Sequence, residues 1–335
     1  MTRPVPIRRT GRRDDYASPP KPGNPLRDHL MTDHYPSRCA DQAQLLPRLD
    51  PVLHGPWHPQ SPLSQAQASF FEENGYLVLE NLFEAEEIDT LRAEAAGLLG
   101  HPQGLKPDTI ITEPGGTEVR SIFEIHRQNA MMAWLAADAR LSEVARFLLA
   151  DEVYIHQSRL NYKPGFQGRE FYWHSDFETW HVEDGMPRMR ALSMSVLLAR
   201  NTPHNGPLML IPGSHREFLT CVGETPENHY KSSLKKQEYG VPDEDSLADL
   251  VNRHGIVAPT GEPGTVIIFD CNIMHGSNGN ITPLPRANAF LVYNALSNRL
   301  QEPFGPVNPR PDFIAARRDI AAIRPMPGPL TRSAA

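Results

Sequence analysis

The chain has 335 residues, 39% hydrophobic and 22% charged, enough for one sizeable core or two modest ones, which excludes a disulfide-stapled miniprotein or a coiled coil. No apolar run approaches the roughly 18–20 residues of a membrane helix and no secretory apolar stretch opens the chain, so a cytoplasmic protein without a membrane partner is expected. Lys+Arg 33 against Asp+Glu 40, a formal charge of −7, argues against a nucleic-acid partner.

Of 33 prolines, 12 fall in residues 1–64 and 7 in 301–335. Residues 1–30 also carry Arg3, Arg8, Arg9, Arg12, Arg13, Lys21 and Arg27 with almost no aliphatic content, so burial cannot offset their ordering entropy. A largely disordered Pro/Arg-rich leader over residues 1–60 is expected, and Met31 offers a second start. Cys39, Cys221 and Cys271 are odd in number and far apart, and no Cys-x-x-Cys occurs, which suits reduced thiols without zinc.

Ser64 to Asn74 reads as a helix stopped at Gly75, followed by a strand over Tyr76 to Leu79. Glu84 to Leu99 is the strongest helix, with acids in its first turn and Gly100 as its stop. Helical patterns at Ala130–Ala137 and Leu141–Leu149 precede a change to short β-branched or alternating runs: Val153–Leu160, Ala191–Leu198, Leu208–Ile211, Thr265–Phe269 and Ala287–Tyr293. One helical insertion, about Asp243 to Asn252, interrupts them, and residues 199–207 and 221–245 are loop-rich enough to form a lid. These patterns imply a mainly β protein with flanking helices, as a sandwich or barrel.

The densest chemistry is FYWHSDFETWH, Phe171 to His181. Read as an extended strand, it puts His174 and Asp176 on one face. His275, just past the strand Thr265–Phe269, is the expected third ligand. Two imidazoles and a carboxylate leave adjacent positions open and suit Fe(II) for O2 chemistry. His181 faces away if the strand continues, His215 in PGSHR reads as a structural turn residue, and His54 and His58 read as solvent-facing. O2 activation needs two electrons, which 2-oxoglutarate supplies. Arg286, eleven residues past His275, offers its distal carboxylate a bidentate fork. Ser277 could add a hydroxyl, and Asn161 and Lys163, just past the strand Val153–Leu160, are further candidates.

Three stretches make the sequence resemble the ectoine hydroxylases, a branch of the phytanoyl-CoA-hydroxylase-like Fe(II)/2-oxoglutarate dioxygenases. They are FYWHSDFETWHVEDGMP (residues 171–187, with MRALS beyond), PLMLIPGSHR (207–216) and FDCNIMHGSNGNITP (269–283, followed by PRAN). The likeness implies a dioxygenase domain over residues 61–315 with a tail at 316–335, folded as a double-stranded β-helix (jelly-roll, cupin-like) barrel. It implies Fe(II) on His174, Asp176 and His275, and 2-oxoglutarate on Asn161, Lys163, Phe171, Ser193, Ser277 and Arg286. Ectoine would meet Gln157, Thr179, Trp180, Phe269, Phe290 and Arg310. The implied reaction hydroxylates L-ectoine to 5-hydroxyectoine, a compatible solute in stress protection, and releases succinate and CO2. Trp180 suits the amidinium cation of ectoine and Arg310 its carboxylate. The same chemistry on another small zwitterion, such as a free amino acid, or a non-catalytic solute-binding barrel remain alternatives. The partner is then a small molecule, with a homodimer left open.

Overall fold

The computed structural model describes residues 32–235 and 238–331. The leader expected to be disordered therefore lies, over residues 1–31, outside the described residues. The chain divides into two units, Met1–Thr32 and Asp33–Ala335, and the elements of the described residues all lie in the second.

In chain order the elements are β1 (Leu45–Pro47), α1 (Gln65–Asn74), β2 (Tyr76–Leu79), α2 (Ala85–Gly100), β3 (Ile110–Thr112), β4 (Val119–Phe123), α3 (Ile125–Gln128), α4 (Ala130–Ala137), α5 (Ala139–Leu149) and β5 (Val153–Lys163). After these come β6 (Phe171–His174), α6 (Asp176–Asp184), β7 (Ala191–Leu197), β8 (Leu208–Leu210), β9 (Glu217–Leu219), α7 (Tyr230–Ser233), α8 (Glu244–His254), β10 (Val266–Asp270), β11 (His275–Ser277) and β12 (Arg286–Ala295). Local signals explain the ends. Ser64 and Gln67 form a reciprocal capping box on α1, and Glu84 and Glu87 do so on α2. Gly75 ends α1 at φ 76° with its backbone against the His215 ring, where a side chain would collide.

All strand pairings are antiparallel. One sheet runs β2-β10-β7-β12-β5-β4-β3, a smaller one β6-β11-β8, and β1 pairs β9. Period-two alternation divides each long strand between two layers. Val266 and Ile268 of β10 and Leu291 and Tyr293 of β12 join Leu91, Leu135, Leu141 and Leu148 of the helices in one core. Ile267, Phe269 and Phe290 point the other way, onto Leu208 and Leu210 of the small sheet. Helices thus cover one face of the large sheet and the small sheet faces the other, the double-stranded β-helix arrangement. Among the described residues no helix is long and apolar enough to cross a membrane.

Three expectations need correction. The leader does not extend to residue 60: Tyr35 is fully buried against Phe177 and Phe218, and β1 lies in a sheet. The domain does not end at 315 either, since Leu330 is buried and Ile323 and Met326 bond to Val153 and Ala137. Finally, β5 runs on to Lys163, so Asn161 and Lys163 belong to the strand itself rather than to the loop beyond it.

The segment after residue 32 matters because it grips α6. Arg38 bridges Glu178 at 2.6 Å and Glu183 at 2.8 Å, all three side chains being almost wholly buried. Ser37 Oγ donates to Glu178, and Asp33 accepts from His181. Replacing Arg38 by Ala leaves two buried carboxylates uncompensated, so a loss of about 3–5 kcal/mol is expected, read by urea denaturation.

Candidate metal centre and anion pocket

His174 ends β6 and lies directly opposite His275, the first residue of β11; their ring centroids are 4.2 Å apart. In each imidazole Nδ1 bonds a carbonyl two residues back: Tyr172 at 2.8 Å for His174, Ile273 at 3.0 Å for His275. That orients Nε2 as the free donor. Asp176 Oδ1 stands 3.6 Å from His174 Nε2, and Oδ2 stands 3.8 Å from His275 Nε2. Ligand atoms of the three residues lie within 4.8 Å of one another, the only such cluster of three among the described residues. Burial raises the Asp176 carboxyl, but His275, His174 and Arg159 outweigh it and hold it below the usual carboxylate range. Burial, then His174, pushes His275 down to about 4. Near neutral pH these two groups therefore already have the protonation states a metal requires.

Asp176 reaches this position by a route other than the extended one expected. The strand stops at His174, and Asp176 is the first residue of α6, where its charge suits the helix N-terminus. Trp180 does share the face of Asp176, through i,i+4 helical spacing. Its ring packs 5.0 Å from His156. His181 is buried between Phe304, the Met186 carbonyl and Asp33, and His215 is buried against the Glu72 carbonyl. His58 is exposed, but His54 is half-buried beside the Met189 carbonyl, its solvent-facing expectation undone because residues 33–59 pack on the domain.

Beside the three donors lies a cavity of about 650 Å³, part of it open to solvent. The register of β5 on β12 sets the lining residues in rows: Lys163 faces Arg286 and Arg159 faces Phe290, all four lining the cavity, as does Asn161, which faces Asn288; beyond them Gln157 faces Val292. Lys163 Nζ donates to Ser277 Oγ at 2.9 Å and to the Asn278 carbonyl at 2.5 Å. Arg286 reaches only Asn161 Oδ1, at 3.4 Å, and its Nε and Nη1 have no partner. Burial, then Arg286 and Arg120, pushes Lys163 down to about 6, and burial, then Arg120 and Arg159, pushes Arg286 down to about 10. A buried guanidinium left without a carboxylate, beside a lysine whose protonation a bound anion would restore, describes an anion site. Phe171 lines this cavity with its ring 5.0 Å from His174.

The remaining expected residues divide. Ser193 Oγ lies 3.4 Å from Asp176 Oδ2 and so touches a donor. Phe269 packs 5.2 Å from the His275 ring and 6.4 Å from Phe290. Gln157 donates to the Ile314 carbonyl, and buried Thr179 Oγ1 has no partner. Arg310 is already engaged: it bonds Asp184 through Nε at 2.9 Å and through Nη2, and it lines a separate cavity with Glu183, His229 and Tyr230. Arg120, Arg159, Asn288 and His156 do not stand out in the sequence. Arg159 was within reach of it, because Gln157, Asn161 and Lys163 alternate and 159 completes their row. His156 was not: it is the extra residue of a bulge between Val292 and Tyr293, buried with neither ring nitrogen bonded.

An antiparallel double-stranded β-helix with two imidazoles and one carboxylate at its mouth, beside a cationic cavity, defines the class of mononuclear non-haem metal oxygenases. The profile of the phytanoyl-CoA dioxygenase (PhyH) family matches residues 71–288, and the chain belongs to this family. It is 70% identical to the ectoine dioxygenase of Sphingopyxis alaskensis over 303 residues, 90% of this chain and 99% of that protein. It is 48% identical to the ectoine dioxygenase of Halomonas elongata over 306 residues, 91% and 90% of the two chains. The crystal structure of EctD from S. alaskensis with 2-oxoglutarate and 5-hydroxyectoine matches at TM-score 0.83 and 65% identity, over 90% of this chain and 100% of that one. EctD with bound Fe matches at TM-score 0.82, with the same identity and coverage.

Proposed function

We infer that this chain hydroxylates L-ectoine to 5-hydroxyectoine with Fe(II), 2-oxoglutarate and O2, releasing succinate and CO2. The observation that carries the reading is the three-donor cluster of His174, Asp176 and His275 opening onto a cavity whose buried Arg286 and Lys163 have no carboxylate partner among the described residues. His174, Asp176 and His275 would hold the metal, and their donor set fits Fe(II). When bound, the iron and 2-oxoglutarate together supply the oxidising chemistry.

The protein's own groups bind, orient and shield. The Arg286 fork, with Lys163, Asn161 and Ser277 around it, takes the distal carboxylate of 2-oxoglutarate. Phe171 closes that pocket beside His174. Phe290, which lines the cavity, and Phe269, against His275, would hold ectoine's ring with Trp180, Thr179 and Gln157, keeping the target C–H toward the oxidant. Arg310, paired with Asp184, would serve there through the order it gives the end of α6, or by exchanging Asp184 for the substrate carboxylate.

The test is product analysis with Fe(II), 2-oxoglutarate, O2 and ectoine, each omitted in turn. Hydroxyectoine and succinate in equal amounts, absent when any component is missing, are expected. Turnover with proline or lysine but not ectoine would overturn the substrate. Replacing Ser193 by Ala removes a hydroxyl that steadies Asp176, so iron affinity is expected to fall roughly 10- to 100-fold, measured by iron titration.

A further inference from the structure

Arg159 stands in the middle of the inward row of β5, opposite Phe290, and lines the cavity with His174 and His275. Its guanidinium lies 5.1 Å from the Phe290 ring centroid and 5.7 Å from that of Phe123. Nη1 donates to Gln157 Oε1 at 3.1 Å, and Nε is buried without a partner. No salt bridge neutralises it among the described residues, whereas neighbouring cations are satisfied: Arg120 by Glu113 at 2.8 Å and Arg310 by Asp184. Four residues of extended strand, roughly 13 Å of backbone, separate Arg159 from Lys163. Its guanidinium is thus a cation further along the row from the pair assigned to the distal carboxylate, near enough to bear on the charges of Arg286, Asp176 and His275.

A guanidinium placed in a cavity over two aromatic faces, with unused donors and no counter-charge, is built to take a planar anion. We propose that Arg159 is a carboxylate-binding residue of the reaction site, at the level of the metal, where cosubstrate and substrate meet. Two carboxylates arrive there: the metal-end carboxylate of 2-oxoglutarate and the carboxylate of ectoine. Gln157 holds one edge of the guanidinium, Phe290 and Phe123 hold its plane, and the remaining edge faces the ligand. The inference rests on the function proposed above.

The experiment uses full-length Fe(II) protein without O2, comparing wild type with Arg159→Gln and Arg159→Lys. The metal-to-ligand charge-transfer absorption reports 2-oxoglutarate binding, and calorimetry on the Fe(II)–2-oxoglutarate complex reports ectoine binding. Loss of a charge-assisted hydrogen bond corresponds to about 10- to 150-fold. At least tenfold weaker binding of either ligand by Arg159→Gln, with partial recovery in Arg159→Lys, is the expected result; the arm that weakens identifies the carboxylate. Both affinities within threefold of wild type, at equal iron content and melting temperature, would overturn the proposal. Should Arg159→Gln not fold, Arg159→Met, which keeps the length of the side chain without its charge, takes its place under the same threefold limit. A wild-type protein that binds neither ligand would instead refute the function, and the role of Arg159 with it.

Discussion

Asp176→Ala is expected to bind no Fe(II) and to form no hydroxylated product, with anaerobic iron titration and product analysis as the measurements. Asp176 is the one anion in the three-donor set, and its two oxygens face the Nε2 atoms of both histidines. Without it His174 and His275 present only two neutral imidazoles, less than the donor set needs to retain Fe(II). The fold should survive. Asp176 lies at the N-terminus of α6, so its loss removes about 0.3–1 kcal/mol of helix-dipole stabilisation. The α6 helix keeps its grip on Arg38 through Glu178 and Glu183. A variant that still binds iron and turns over would show that the carboxylate ligand lies elsewhere.

The second large effect is expected at Arg286, and it runs in opposite directions for binding and stability. Arg286→Gln should weaken 2-oxoglutarate about 10- to 150-fold while raising the melting temperature of the ligand-free protein. In that state the guanidinium is buried without a carboxylate and beside Arg120 and Arg159, so removing its charge relieves repulsion. A melting temperature that falls on substitution would mean that Arg286 is a structural residue.

Lys163 provides the companion pH dependence. Its folded, ligand-free pKa of about 6 lies below the ordinary 10.5, chiefly through burial and then Arg286 and Arg120, with Glu113 and Glu170 opposing weakly. Between about pH 6 and 10 the unfolded chain therefore holds a proton that the folded ligand-free chain lacks. Stability then rises with pH across that window, other groups being equal. A bound dicarboxylate reverses the preference, so 2-oxoglutarate should bind with proton uptake near pH 8. Calorimetry in buffers of different ionisation enthalpy measures this, and Lys163→Gln should remove it.

Much of the site is legible in the sequence. A His-x-Asp pair, a distant strand-end His and an Arg eleven residues beyond it are metal and carboxylate chemistry wherever they occur, and the three donors do come together. The helices at 65–74 and 85–100 are legible too, because their caps and glycine stops are local signals. Reading FYWHSDFETWH as a continuous strand fails. Aromatic and β-prone residues run through it, but Ser175 starts a helix whose buried face, Phe177 to Asp184, is specified by contacts with Tyr35, Phe218 and Arg38. The 33–59 segment looks dispensable for the same reason: its proline content says nothing of the partners that bury Tyr35 and pair Arg38.

By itself the sequence determined the chemical inventory, the helix termini and the alternation that places Gln157, Asn161 and Lys163 on one side of a strand, since each depends on side-chain type and short-range periodicity. Only the tertiary structure decided which charges are cancelled. Arg120 and Arg310 meet buried carboxylates brought from elsewhere in the fold, while Arg159, Lys163 and Arg286 meet none among the described residues. Charge compensation is a property of distance and burial, which residue order along the chain does not carry.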